Sequence, residues 1–130
     1  MAAIVITRTE SQLSADTSFQ ALDNLAGASV SSSFNVPVGV SAIKQVAIAT
    51  TADGSDEFVP LIKISGNAMK NGDAVMCGPA NVASTTATGT SMNFGQYDTD
   101  LAVEPGNSVE LSIAVTDAAT ISAAVTITFA

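Results

Sequence analysis

The chain of 130 residues is long enough for one domain, and its composition excludes several classes of function. Four Lys and Arg residues against twelve Asp and Glu residues give a net charge of −8, which lacks the basic footprint that nucleic acids and anionic membranes require. There is no histidine and no glycine-rich phosphate-binding motif, so we expect no enzyme activity, no catalytic residue and no cofactor.

The polar residues of the chain are mostly Ser, Thr, Asn and Gly rather than charged residues. Charged residues make up 12% of the sequence, about half of the ~25% found in an ordinary soluble domain. Outward positions of β-strands favour Thr and Ser, whereas exposed helix faces favour Lys, Glu and Arg. The composition therefore predicts an all-β protein. The few charges on its surface should cause little electrostatic repulsion between copies.

The first third of the sequence predicts two strands. Ala3–Thr9 alternates weakly and is typical of a first strand at a sheet edge or in an arm. Ala28–Val36 alternates again, and Pro37 and Gly39 end it.

A short helix competes with a loop between these two strands. Phe19, Leu22 and Leu25 recur at three-residue spacing, Asp16 is a fair N-cap and Gly27 is a fair stop. We expect at most one short helix near residues 16–26, or a loop with a helical turn.

The middle of the chain predicts three further strands. Ala42–Thr51 has two largely apolar faces and is expected to be central in its sheet. Glu57–Ser65 contains Pro60, which cannot donate to a ladder, so we expect this strand at an edge or bulged at Pro60. Asn71-Gly72 predicts a tight turn before the short strand Ala74–Cys77.

Cys77 is the single cysteine, so no disulfide can form within the chain. It lies in V-M-C-G-P, between apolar residues and a turn. We expect it to be a small buried hydrophobic residue.

The segment from Asn81 to Gly95 is low in charge and rich in Ser, Thr and Gly. It predicts a long loop with one short strand at Ser91–Phe94. A second brief strand is expected at Asp100–Val103, followed by a turn at Glu104–Asn107.

The last 23 residues carry the clearest pattern, two alternating runs at Val109–Val115 and Ile121–Phe129. Five residues, Thr116–Thr120, link them, so we predict an antiparallel hairpin with one face on the core. With about eight strands in total, residues 1–130 are expected to form a single antiparallel β-sandwich. The side chains expected in its core from these two runs are Leu111, Ile113, Val125 and Ile127.

Two acidic groups could in principle supply the six to eight oxygens of a calcium site. Neither has the spacing of a known calcium loop, so we predict no metal site and interpret both as solvated, with calcium as the open alternative. The groups are Asp53, Asp56 and Glu57 around Gly54, and Asp98, Asp100 and Glu104.

Several apolar and aromatic residues are candidates for contacts between subunits, because Met and aromatic residues are enriched at interfaces and an end strand is free to reach a neighbour. The alternative is that those in the loop-rich middle of the chain close the ends of the sandwich. The candidates are Ile4, Ile6, Met69, Met92, Phe94 and Tyr97.

Two segments resemble parts of jelly-roll proteins. V-E-P-G-N-S-V-E-L-S-I (Val103–Ile113) is similar to their turn into a strand, and V-P-V-G-V-S-A-I-K-Q-V-A-I-A (Val36–Ala49) looks like their apolar crossover. In length, composition and lack of a catalytic set, the chain resembles the small capsid and capsid-decoration (cement) proteins of bacterial viruses. The resemblance implies a structural role in a virion, in a symmetric homo-oligomer (a trimer is favoured) that contacts a major capsid protein.

Two other classes of function stay open. One is a subunit of an extracellular filament or surface layer, against which the N-terminus speaks, because it lacks the features of a signal peptide. The other is a small ligand-binding or carbohydrate-binding module, against which the scarcity of aromatic residues speaks, with no Trp and one Tyr. We expect synthesis in a host cytoplasm and a final location in the virion, with no membrane contact.

Overall fold

Eleven β-strands make up the regular structure of the residues that the computed structural model describes, which are 4–13, 18–25, 28–53, 59–78, 90–115 and 121–130. None of these residues is helical, so within these ranges no helix is long and apolar enough to cross a membrane. In chain order the strands are β1 (Ile4–Leu13), β2 (Gln20–Ala21), β3 (Asn24–Leu25), β4 (Ala28–Ser29), β5 (Ser33–Asn35), β6 (Ala42–Asp53), β7 (Pro60–Ser65), β8 (Ala74–Cys77), β9 (Thr90–Ala102), β10 (Ser108–Val115) and β11 (Ile121–Phe129).

The larger sheet has six strands in the order β4-β3-β1-β11-β6-β9, all antiparallel to their neighbours. In this sheet the first strand, β1, pairs with the last, β11, and Phe129 lies opposite Ile4. β6 lies between β11 and β9, so the prediction that the run from Ala42 is a central strand is confirmed.

The smaller sheet has the order β2-β10-β7-β8, with β5 also paired to β10. β7 lies between two neighbours with no register shift, so the prediction of an edge or a bulge at Pro60 is wrong. Pro60 is the first residue of β7, where the absence of an N–H group is tolerated. Its carbonyl accepts a hydrogen bond from the Gly78 N–H at 2.8 Å.

The hydrophobic core fills the space between the two sheets. Full burial of each large aliphatic side chain stabilises the fold by about 1.5–3 kcal/mol. The four side chains predicted to lie in the core, Leu111, Ile113, Val125 and Ile127, are buried. On β10 the opposite face is buried as well at Ser112 and Ala114, so exposure does not alternate along this strand. The buried side chains of the larger sheet include Val46, Ile48, Val125, Ile127 and Phe129, and those of the smaller sheet include Ile62, Ile64, Val109, Leu111 and Ile113.

Aromatic and cationic groups pack together at the side of the core next to β1. The ring of Phe34 packs edge-on against that of Phe129, with 6.5 Å between centroids and an interplanar angle of 83°. The Arg8 guanidinium lies 4.9 Å from the Phe34 centroid, and its Nε donates to the Ser31 carbonyl at 3.1 Å. The positive charge of this inward-facing arginine is therefore stabilised by the face of the Phe34 ring and by the Ser31 carbonyl oxygen.

The strand order identifies the sandwich as a jelly roll. The larger sheet contains the series β1-β11-β6-β9 and the smaller one contains β5-β10-β7-β8. Among these eight strands the chain changes sheet at every connection except the one between β7 and β8, which gives the eight-stranded double-sheet arrangement of that fold. The predicted all-β, jelly-roll-like sandwich is confirmed.

The predicted C-terminal hairpin is wrong. β10 pairs with β2, β5 and β7 in the smaller sheet, whereas β11 pairs with β1 and β6 in the larger sheet. The two strands lie in opposite sheets and share no ladder. Alternation is the same in a hairpin and in two strands of opposite sheets, because both have one face on the core.

Two other predicted elements differ from the structure. The described part of the predicted helix, residues 18–25, contains β2 and β3, and of its three periodic residues Leu22 is buried while Phe19 and Leu25 are exposed. Ala28–Val36 is not one strand: β4 belongs to the larger sheet and β5 to the smaller one. This segment therefore crosses between the sheets.

The two brief strands predicted at Ser91–Phe94 and Asp100–Val103 are one strand of 13 residues, β9. Its hydrogen bonds to β6 run from Thr90 opposite Asp53 to Ala102 opposite Ala42. Pairing with a long apolar neighbour overrides the weak strand propensity of the Gly and Asp residues in this stretch.

One end of the sandwich is tied together by main-chain hydrogen bonds between its connections. Val103 N–H donates to the Ser41 carbonyl at 3.0 Å, Glu104 N–H to Ala68 at 2.9 Å, and Ala130 N–H to Ala42 at 3.0 Å. The predicted turns at 71–72 and 104–107 lie here and are confirmed.

Candidate assembly surface

The outward face of the larger sheet is the candidate assembly surface. Four adjacent strands contribute three residues each, and the register places them in straight rows across the sheet. We call these twelve residues the outer face. They are Val5, Thr7 and Thr9 of β1, Ala124, Thr126 and Thr128 of β11, Gln45, Ala47 and Ala49 of β6, and Phe94, Gln96 and Asp98 of β9.

Of the outer-face residues, Asp98 alone is charged, although the chain has a net charge of −8. Thr7 and Thr126 are joined by a hydrogen bond of 2.9 Å between their Oγ1 atoms, so part of the polar capacity of the face is already used. Small side chains such as Ala47 and Ala49 lie beside the larger Phe94. The scarcity of charge and the exposed aromatic ring are features of the centre of protein interfaces.

Three of the predicted contact residues pack into their own subunit. Ile4 and Ile6 are partly buried against the core, opposite Phe129 and Ile127. Met69 is buried and pairs with Val103 through an isolated bridge. Contact of these residues with a second copy stays a prediction, and their contact with the core is observed.

The other three predicted contact residues lie on β9, at the edge of the larger sheet. Phe94 is 63% exposed on the outer face. Tyr97 has the opposite parity and packs partly against the core. Met92 lies opposite Thr51 in the ladder, and its side chain is outside the described residues.

Sequence reasoning missed three exposed valines. Val38 is 89% exposed at the tip of a turn, between Pro37 and Gly39 (φ 93°). Val5 and Val75 are also more than half exposed, on β1 and β8. Pro37 and Gly39 could have indicated the exposure of Val38, because turn-forming residues on both sides place it outside any sheet.

The prediction that Cys77 is buried is wrong, because its thiol side chain is exposed. Alternation along β8 turns Ala74 and Met76 toward the core and leaves Val75 and Cys77 outside. The apolar neighbours of Cys77 in the sequence therefore do not cover it.

The second acidic group does not converge on a point. The Asp100 carboxylate accepts a hydrogen bond from Lys44 Nζ at 2.7 Å, and Glu104 pairs with Lys70 at 3.2 Å. Within the described ranges no three acidic or cysteine side chains gather where they could hold a metal ion. The first acidic group, Asp53, Asp56 and Glu57, lies outside the residues whose side chains are described.

Comparison with known proteins gives a likeness of fold. No protein-family model matches the chain, and no curated protein matches its sequence. A chain in the crystal structure of the T13 particle of infectious bursal disease virus matches with a TM-score of 0.57 and 16% identity, over 97% of this chain and 31% of the viral one. A chain in the structure of the Gx strain of the same virus matches with a TM-score of 0.57 and 12% identity, over 98% and 32%.

The chain thus spans about a third of the length of these viral chains. At such identities the likeness concerns the architecture of the sandwich and not its individual residues. The all-β jelly roll described above is therefore shared with chains of a virus particle.

Proposed function

We propose that the chain is a structural subunit of a virus particle and that it acts through contacts between subunits. The observation that carries the proposal is the jelly-roll strand order, which extends over nearly the whole chain in the match to a viral particle. Jelly rolls also occur in lectins and cupins, and a fold does not imply a function. The properties of the surface must therefore support the assignment.

The outer face gives that support. On its two central strands, β11 and β6, the outer face consists of Thr, Ala and Gln, and Phe94 is exposed beside them on β9. A subunit that works alone depends on its own surface charges for solubility, whereas a subunit of a shell buries much of its surface against neighbours. A face with one charged residue among twelve, on a chain of net charge −8, fits the second case.

Within this role we propose a small capsid subunit or a capsid-decoration protein, present as a symmetric homo-oligomer, with a trimer favoured, and bound to a major capsid protein. The assignment to a bacterial virus rests on the resemblance in length and composition. No catalytic step and no cofactor belong to this proposal, and the acidic surface speaks against nucleic acid and membrane as partners.

The test is to follow the chain through purification of particles from its native source. Antibodies raised against the recombinant chain are used to probe gradient fractions and to label particles for electron microscopy. We expect the chain to co-sediment with intact particles, to stay bound after a high-salt wash, and to be labelled at regular positions on their surface.

The opposite result is a chain found in the soluble fractions as a monomer of 13.0 kDa, with unlabelled particles. That outcome would end the virion assignment and favour the ligand-binding alternative. Labelled filaments or cell surfaces would instead favour the surface-layer alternative.

A further inference from the structure

The edge strand β9 has a long side without a strand partner among the described residues. It is 13 residues long and is hydrogen-bonded to β6 on one side. An edge strand exposes a row of N–H and C=O groups that can pair with another chain, and proteins usually block such edges with charges, prolines or bulges.

The C-terminal half of β9 carries these blocking features. The register between β6 and β9 shifts between Ile43 and Gln45, where a bulge lies on β9 near Thr99. Thr99 Oγ1 donates to the Ile43 carbonyl at 2.7 Å, which fixes the bulge. The charged side chains of Asp98 and Asp100 flank it and are exposed.

The N-terminal half, Thr90–Tyr97, carries none of them. Its sequence, T-S-M-N-F-G-Q-Y, contains no charge and no proline. It pairs with β6 without a shift, from Thr90 opposite Asp53 to Tyr97 opposite Val46. Phe94 lies in the middle of this half and is 63% exposed. We call Thr90–Tyr97 the open edge.

We propose that the open edges of two copies of this chain pair antiparallel about a two-fold axis perpendicular to the sheet at Phe94, which joins the two larger sheets into one. The inference rests on the proposed function, since it names the partner that the open edge contacts in the assembly. It can fail while the role in a virus particle stands.

The pattern of faces supports a second copy in this orientation. A two-fold axis perpendicular to the sheet keeps the outer face of each copy on the same side, so residues of equal parity come opposite each other. Phe94 then lies beside Phe94 of the second copy, and each ring covers apolar area of the other. Aromatic cross-strand pairs of this kind stabilise antiparallel ladders.

The distribution of charge supports the same arrangement. An antiparallel pairing centred on Phe94 places Asp98 of one copy opposite Thr90 of the other. The two Asp98 side chains then lie about 26 Å apart along the strands, well beyond the screening length of about 8 Å at physiological salt. A parallel pairing would instead set Asp98 and Asp100 directly against their counterparts.

This contact is consistent with a trimer. Dihedral assemblies combine three-fold and two-fold axes, so open-edge pairing can join one trimer to another through a surface that the trimer leaves free. The copies also carry net charges of the same sign. Pairing should therefore strengthen as the salt concentration rises.

The test compares two substitutions at exposed apolar residues of the two edge strands. Phe94→Lys places two like charges opposite each other on the proposed axis, whereas Val75→Lys is a matched control on β8, where Val75 is 56% exposed. Sedimentation equilibrium at low and high salt gives the dissociation constants. We expect Phe94→Lys to weaken self-association by at least about tenfold, and Val75→Lys to leave it unchanged.

A second measurement keeps the test independent of how well Phe94→Lys folds. In a Cys77→Ser background, Phe94→Cys should form a disulfide between copies under mild oxidation, whereas Val75→Cys should not. Circular dichroism checks that each variant keeps the sheet signal. Crosslinking at position 94 with none at position 75 supports the proposal.

Three results would overturn it. In the first, the wild-type chain stays monomeric at every protein and salt concentration. In the second, both lysine substitutions weaken self-association equally. In the third, crosslinking at position 94 is no stronger than at position 75. If the chain nevertheless co-sediments with particles, the virion role stands and its contacts lie elsewhere.

Discussion

Thr50 is a polar residue among the apolar side chains of the core. It continues the inward row of Val46 and Ile48 on β6 and is almost fully buried. Its Oγ1 finds no hydrogen-bond partner among the described residues. Thr126, on the outer face, provides the contrast, because its Oγ1 is hydrogen-bonded to that of Thr7.

We expect Thr50→Val to raise the free energy of unfolding by about 1 kcal/mol, because a buried hydroxyl without a partner loses its hydration and gains nothing in return. Urea denaturation measures the change. Thr126→Val is the control and should lower the stability by up to about 1 kcal/mol, since it removes a hydrogen bond. A loss of stability in Thr50→Val equal to that of the control would contradict the argument.

Whether a side chain is buried could be predicted where the two faces of its strand differ in polarity. Leu111 alternates with polar neighbours, and its burial follows from the sequence alone. Ile4, Val5 and Ile6 are all apolar, so the sequence does not say that Val5 is the one turned outward. Met69 was a candidate contact because of its residue type, but the turn that contains it folds onto the core.

The bounds of the strands could be predicted better than the neighbours with which they pair. The bounds of β8 and β11 agree with the prediction, and the four expected core side chains of β10 and β11 are buried. Their sheets could not be assigned, because a connection of five residues can turn back within a sheet or cross to the other one. The sheet to which β11 belongs depends on β1, which lies more than a hundred residues away in the sequence and pairs with β11.

The turn after β7 shows how closely the connections and strands fit. Gly66 has φ of 121°, and a Cβ atom added there would collide with the main-chain carbonyl of Ser108 at the start of β10. Gly106 also has a positive φ, of 86°, but a Cβ atom there would meet open space.

We therefore expect Gly66→Ala to lower the free energy of unfolding by more than about 3 kcal/mol, and Gly106→Ala by about 1–2 kcal/mol. The first change adds a clash with the main chain to the cost of an unfavourable dihedral angle, and the second has the dihedral cost alone. Thermal melting followed by circular dichroism measures both. Equal losses in the two variants would show that the turn can move away from β10.

For the molecule as a whole, the described ion pairs are few and lie at the surface. Lys44–Asp100, Lys63–Asp73 and Lys70–Glu104 are all solvent-exposed. Exposed pairs of this kind contribute about 0–1 kcal/mol each. The burial of aliphatic side chains between the two sheets therefore accounts for most of the stability.

We expect exhaustive dialysis against a chelator to leave the melting temperature unchanged, since Asp100 and Glu104 are paired with separate lysines and do not share a cation. Differential scanning calorimetry with and without added calcium is the measurement. A fall of many degrees that calcium reverses would contradict this expectation, and alanine substitution of Asp53 or of Asp98 would then locate the site.

The pairing of β1 with β11 also has a consequence for how the protein folds. Ile4 cannot reach its ladder partner until Phe129 has been synthesised, so the larger sheet cannot close before β11 is complete. Chains dominated by such distant pairings fold slowly, in roughly milliseconds to seconds, because the entropy of closing a long loop is lost before any contact compensates for it. During that interval the apolar residues Ile4, Val5 and Ile6 lack their ladder partners on β11, and unpaired strands of this kind are prone to aggregate.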